Sequence, residues 1–163
     1  MTIRNLGDET TTMTAEGADL KMERSYDAAA SVVWDALTSA EHIPGWWGPR
    51  GTTAKVGEMD VKAGGKWAVT PAAEQGGTIT FSGEFKEVVE GERFVRTSGS
   101  DADPSGTPAV ETFVLAEAGG KTTLKYEVQF PSAEVLDTAV EYGMAQGVIE
   151  QFDRLAELAA KLG

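Results

Sequence analysis

The sequence contains one histidine, His42. As a general base it would need an orienting carboxylate, and Asp35 and Glu41 are the nearest candidates. A lone histidine on a short surface helix usually does no chemistry, so His42 is assigned no catalytic role. Asp and Glu together number 26, but none stands at i, i+3 or i, i+4 from the histidine in a ligand-like context, and His-Glu-x-x-His is absent. There is no cysteine, which removes thiolate nucleophiles, disulfides and zinc-thiolate sites. The paired glycines Gly64-Gly65 and Gly119-Gly120 sit where hairpin turns are expected, not phosphate loops, and no nucleophile elbow occurs. No catalytic residue, metal or cofactor is expected.

Aromatic residues are the stronger signal. Trp34, Trp46, Trp47, Trp67, Phe81, Phe85, Phe113, Tyr126 and Phe152 spread over nearly every element, and most must be core. The adjacent pair Trp46 and Trp47 ends a short helical piece before a Gly-Pro loop. The two rings cannot easily point the same way, so one packs inward while the other faces a pocket mouth, unless both pack on a sheet edge. Gly143 and Gly147 lie four apart inside a helical stretch, each at a cost of roughly 1 kcal/mol relative to alanine, with Gln151 one turn further on. Either the glycines let the helix touch a strand and Gln151 bonds to backbone, or they leave room for a ligand that Gln151 anchors. In the second case the cavity walls are Trp47, Trp67, Phe81, Phe113, Tyr126, Met144, Val148 and Gln151.

The elements that would position these residues follow from hydrophobic spacing. Pro131 and Ser132 open a helix predicted to run unbroken over Ser132–Leu162, roughly 45 Å at about 1.5 Å per residue. Its apolar face holds Leu136, Val140, Met144, Gly147, Val148, Gln151, Phe152, Leu155, Leu158, Ala159 and Leu162, while Glu150, Asp153, Arg154, Glu157 and Lys161 form the wet side. Before it, Leu20, Met22, Arg24 and Tyr26 alternate as in a strand, and Ala28–Thr38 switches to helical spacing with Val33, Trp34 and Leu37 on one face. Ala40–Trp46 is a second short helical piece, followed by a loop marked by Gly48, Pro49 and Gly51.

Strands are expected over Val56–Lys62, Lys66–Thr70, Thr78–Val89, Arg93–Ser98, Val110–Ala116 and Thr122–Phe130, with Gly83 marking a bulge or bend and Ser100–Pro108 an exposed loop. The first 17 residues are a flexible leader or one weak extra strand. The fold class is therefore α+β: a curved antiparallel sheet gripping a C-terminal helix.

Length and composition limit the function. The 163 residues, 41% hydrophobic and 25% charged, suit one globular domain over 18–163 after the leader. A net charge of −12 without any Lys/Arg run opposes nucleic-acid or anionic-membrane partners. No N-terminal apolar region or apolar run of membrane-spanning length occurs, so a cytoplasmic location is expected.

Several pieces in one order then carry a resemblance. They are Val33-Trp34-Asp35-Ala36-Leu37-Thr38, Trp46-Trp47-Gly48-Pro49 with Gly51, Asp60-Val61-Lys62-Ala63-Gly64-Gly65-Lys66-Trp67, Gly83-Glu84-Phe85-Lys86-Glu87-Val88, and Gly143-Met144 with Gly147 and Leu155. Together they resemble the bacterial homologues of the activator of heat-shock-protein-90 ATPase, within the START-like (helix-grip) superfamily, from about Asp19 to the C-terminus. Ala28-Ala29 stands where that family usually has Ala-Pro, and Ala40 where it usually has a proline; both are turn details. The resemblance implies a START-like fold and leaves three functions open, because the superfamily holds carriers, cyclases and co-chaperones. The first is a binder of a hydrophobic or aromatic small molecule in a cavity under the helix. The second is a co-chaperone of the heat-shock-protein-90 ATPase, although the eukaryotic activators carry an additional chaperone-binding domain. The third is a polyketide cyclase-like enzyme, for which no acid/base pair is evident. Ligand and oligomeric state do not follow from the resemblance.

Overall fold

The computed structural model describes residues 3–48, 52–73, 79–100 and 107–162. Period-2 hydrophobicity produces nine strands: β1 (Arg4–Asn5), β2 (Thr12–Glu16), β3 (Asp19–Tyr26), β4 (Thr52–Met59), β5 (Lys66–Ala73), β6 (Phe81–Val89), β7 (Arg93–Ser100), β8 (Ala109–Ala118) and β9 (Lys121–Gln129). They form one antiparallel sheet in the order β1-β2-β3-β9-β8-β7-β6-β5-β4. The run from β4 to β9 is a meander, and β9 closes on β3, so the first strands of the chain join the last. The turn expected at Pro49 and Gly51, the strand start at Thr78 and the loop over 101–106 lie outside the described residues.

Register sets the core. Met22 pairs with Tyr126, Tyr126 with Phe113 and Phe113 with Phe94, which lines four large side chains across four strands on one face. The rings of Phe94 and Phe113 stack at 4.4 Å, Phe113 and Tyr126 lie 4.7 Å apart, and Tyr126 and Phe152 5.2 Å. Trp34, half-buried on helix α1 (Ala30–Thr38), meets Phe94 edge-on at 5.6 Å. The same helix buries Val33, Ala36 and Leu37. Having no side-chain cap of its own, it takes one from the sheet: Ala30 N donates to Glu117 Oε1 at 2.6 Å.

The helix expected over Ser132–Leu162 is two helices, α2 (Ala133–Glu141) and α3 (Met144–Leu162). Ser132 caps the first as expected, its Oγ accepting from Val135 N at 3.2 Å. The break falls at Gly143, whose φ of +86° lies in the left-handed region, where Tyr142 N donates to Thr138 O and Gly143 N to Val140 O. Apolar spacing hides it, because Val140, Met144 and Val148 stay four apart through the interruption. At about 1.5 Å per residue α3 spans only about 28 Å. It buries Ile149, Phe152, Leu155 and Ala159, while Leu162, assigned to the dry face, is 39% exposed.

Other boundaries shift for local reasons. Helix α1 starts at Ala30 and not at Ala28, and the helical piece expected over Ala40–Trp46 shrinks to a 3-10 turn at Ile43–Gly45 with Pro44 inside it. Gly83 marks close backbone approach: a Cβ there would stand 1.8 Å from Thr97 O, while the irregularity of β6 falls between Phe85 and Glu87. The supposed leader is sheet over much of its described length. Strand β2 pairs with β3, and its Met13 and Ala15 are fully buried, so the described part of this segment takes the strand form of the two readings given for it. No helix among the described residues is long and apolar enough to cross a membrane.

Candidate ligand-binding cavity

Between the sheet and the two C-terminal helices lies a cavity of ≈ 660 Å³. All eight residues assigned to it from sequence line it: Trp47, Trp67, Phe81, Phe113, Tyr126, Met144, Val148 and Gln151. Trp67, Phe113 and Tyr126 come from the sheet face that carries the aromatic ladder, and Met144, Gly147, Val148 and Gln151 from the first two turns of α3. Val135 and Ala139 of α2 and Leu20, Val128 and Phe130 extend the apolar wall. Gly147 faces open space, since a Cβ built on it would meet nothing within 4 Å. Of the two readings of that glycine, close contact with a strand is excluded.

The tryptophan pair divides its tasks. Trp46 is buried, donates from Nε1 to Ala36 O at 2.7 Å and stacks on Phe152. Trp47 is half-buried, borders the cavity and lies 5.2 Å from the Phe81 ring. Two side chains of α3 hold this corner. Gln151 Oε1 accepts from Gly48 N at 2.9 Å, so Gln151 both lines the cavity and ties backbone. Arg154 Nη1 donates to Gly48 O at 3.0 Å, with longer approaches to Trp47 O and Pro44 O. Arg154 was placed on the wet side; it serves instead as a clamp. Asp153, also assigned there, pairs with the half-buried Arg24 of β3.

Hydrophobic spacing passed over a polar group in the cavity wall. Arg96 and Glu111 face each other across β7 and β8, at 5% and 8% exposure. Arg96 Nε donates to Glu111 Oε1 at 2.9 Å, and the Tyr126 hydroxyl donates to Glu111 Oε2. The guanidinium carbon sits 3.9 Å from the centroid of Trp67, whose Nε1 donates to Thr97 O at 2.9 Å. Burial, then the neighbouring Glu111 charge and the hydrogen bond to it, hold the Tyr126 phenol well above its ordinary pKa, and the opposing Arg96 charge does not reverse this. A signal was available in the strands themselves: Arg96 follows Phe94 by two and Glu111 precedes Phe113 by two, which puts both charges on the buried face.

His42 lies outside the cavity. Its Nε2 is 3.2 Å from Asp35 Oδ2, one of the two partners expected, on a solvent-facing side of α1. Among the described residues no three His, Asp or Glu side chains converge as metal ligands would.

Residues 27–160 match the family model described as Activator of Hsp90 ATPase homolog 1-like protein. The chain belongs to this family. Solved structures that share the family's helix-grip fold include a Rhodobacter sphaeroides protein, 21% identical, covering 94% of this chain and 99% of that one with a TM-score of 0.82. A Chromobacterium violaceum protein is 24% identical over 87% of this chain and 96% of its own, with a TM-score of 0.78. An AHSA1 protein from Silicibacter pomeroyi, 22% identical over 88% and 99%, has a TM-score of 0.73. At these identities the likeness is one of fold: a START-like curved sheet closed over by a C-terminal helix. No curated protein sequence matches the chain.

Proposed function

We propose that the protein binds an apolar or aromatic small molecule in the cavity between the sheet and α3. The observation that supports this most directly is Gly147. A helix glycine costs roughly 1 kcal/mol relative to alanine, and here no neighbour would obstruct a methyl group. The missing side chain keeps space open in a wall that is mostly aromatic and aliphatic with a few polar groups, which is how a small-molecule site is built.

Native mass spectrometry of the purified protein and thermal shift against a hydrophobic library test the reading. The expected result is a co-purified molecule or a set of stabilising compounds whose affinity drops at least tenfold in Gly147→Leu, while the variant's own stability stays level or rises. An empty screen, or a Gly147→Leu protein that melts several degrees lower with ligand affinity unchanged, rejects it. The description of the matching family supports a second reading, stimulation of a heat-shock-protein-90 ATPase. Adding the protein to the bacterial chaperone and measuring ATP turnover decides that one directly.

A further inference from the structure

The polar group in the cavity wall restricts what the ligand can be. Arg96 is 5% exposed, and its Nε is satisfied by Glu111. Its two Nη groups meet no protein acceptor among the described residues. Arg24 Nε is the one sealed polar side-chain atom without a partner among the described residues, so the Nη groups of Arg96 are not sealed. Arg96 lines the cavity, so that space is open beside its unsealed guanidinium. Stacking on Trp67 at 3.9 Å holds the guanidinium plane in place. The site therefore presents fixed, charged N–H donors inside an apolar chamber, where an unmet donor is expensive.

Charge decides which acceptor they suit. Glu111 already neutralises Arg96, and both of its oxygens are engaged, one by Arg96 and one by Tyr126. The Tyr126 hydroxyl is spent on that carboxylate and keeps its proton. A ligand carboxylate would bring a second anion to one cation among largely apolar walls, on a protein of net charge −12. A neutral oxygen accepts from the same N–H groups without adding charge. Resting on the binding reading above, we infer that the ligand is an apolar molecule with a neutral carbonyl acceptor (ketone, ester or amide) directed at the Nη groups of Arg96.

Three probes of nearly equal shape test this by isothermal titration calorimetry near neutral pH: 2-acetylnaphthalene, 2-ethylnaphthalene and 2-naphthoate. The ketone is expected to bind about tenfold or more tighter than the hydrocarbon, since a hydrogen bond from a charged donor is worth about that factor. It should also outbind the carboxylate. In Arg96→Met/Glu111→Gln, which removes both charges together and leaves Tyr126 an amide oxygen to bond, the ketone-to-hydrocarbon ratio should fall toward one. The wild-type series needs no variant, so a poorly folding double mutant leaves the comparison intact. Tightest binding by the naphthoate overturns the inference, as do equal affinities for all three, and equal affinities leave the cavity itself a binding site. No binding by any probe also overturns it; whether the binding reading falls as well is then read from the library screen.

Discussion

Gly143 and Gly147 are four residues apart in sequence and differ in backbone conformation. Gly143 has φ +86°, whereas Gly147 is an ordinary member of α3, and a Cβ at either meets nothing within 4 Å. Space being equal, the backbone alone sets the sign of an alanine substitution. Gly147→Ala should stabilise by about 0.5–1 kcal/mol through helix propensity. Gly143→Ala should destabilise by about 1–2 kcal/mol, the strain of a side chain in the left-handed region. Urea unfolding of both variants checks this, and equal effects would mean that the break at Gly143 is not fixed in solution. Tyr26 and Tyr126 belong to the same scale. Burial raises both phenols above their ordinary range, with the Glu111 charge adding to the effect at Tyr126. In the unfolded chain each would lose its proton near pH 10, so folding then favours the protonated form. Their contribution is complete below about pH 10 and is lost as pH climbs above it. Unfolding followed between pH 8 and 12 should show stability falling beyond about pH 10, and Tyr126→Phe should reduce that slope. A slope unchanged in the variant would show that Tyr126 ionises as readily folded as unfolded.

At the scale of elements, the corner that carries Trp47 is held by α3 and not by its own hydrogen bonding alone. Gly48 is gripped at both of its backbone groups, its N–H by Gln151 and its carbonyl by Arg154. Arg154→Met should free that carbonyl and destabilise the protein by about 1–3 kcal/mol, the worth of a charge-assisted bond. Trp47 fluorescence should shift to longer wavelength as the indole is wetted, and an unshifted spectrum would show the loop to be held without Arg154. This corner also shows what hydrophobic spacing can and cannot reveal. The eight cavity residues could be picked out because aromatic and small residues on facing elements converge whatever the details of the turns. Arg96, Glu111 and the roles of Asp153 and Arg154 stayed hidden, because a charge is ordinarily assigned to water and only the pairing register brings Arg96 opposite Glu111. The helix break was hidden for a different reason: a left-handed glycine inserts a turn without disturbing the apolar spacing on either side.

Across the whole molecule, the sheet uses the N-terminal segment to finish itself. Strand β2 lies against β3 over Thr12–Glu16, and β1 covers β2 in turn, with Arg4 also paired to Asp137 of α2 at 2.6 Å. Two apolar positions suffice for this: Met13 and Ala15 alternate inward and are fully buried. Thr11, at 1% exposure, accepts from Arg24, which in turn pairs with Asp153 of α3, so the segment is linked through β3 to the helix that roofs the cavity. Deleting residues 1–17 would bare the edge of β3, expose the surface Met13 covers and unhook Arg24 from one of its supports. The burial of Met13 alone is worth about 1.5–3 kcal/mol, and an unprotected edge strand invites pairing with other chains. A protein starting at Ala18 should lose about 3–5 kcal/mol and become prone to association, read as a melting temperature lower by about 8 °C or more and a larger species in size-exclusion chromatography. Should the truncated protein melt within about 2 °C of the full chain and stay the same size, β1 and β2 would be dispensable and the leader reading of this segment restored.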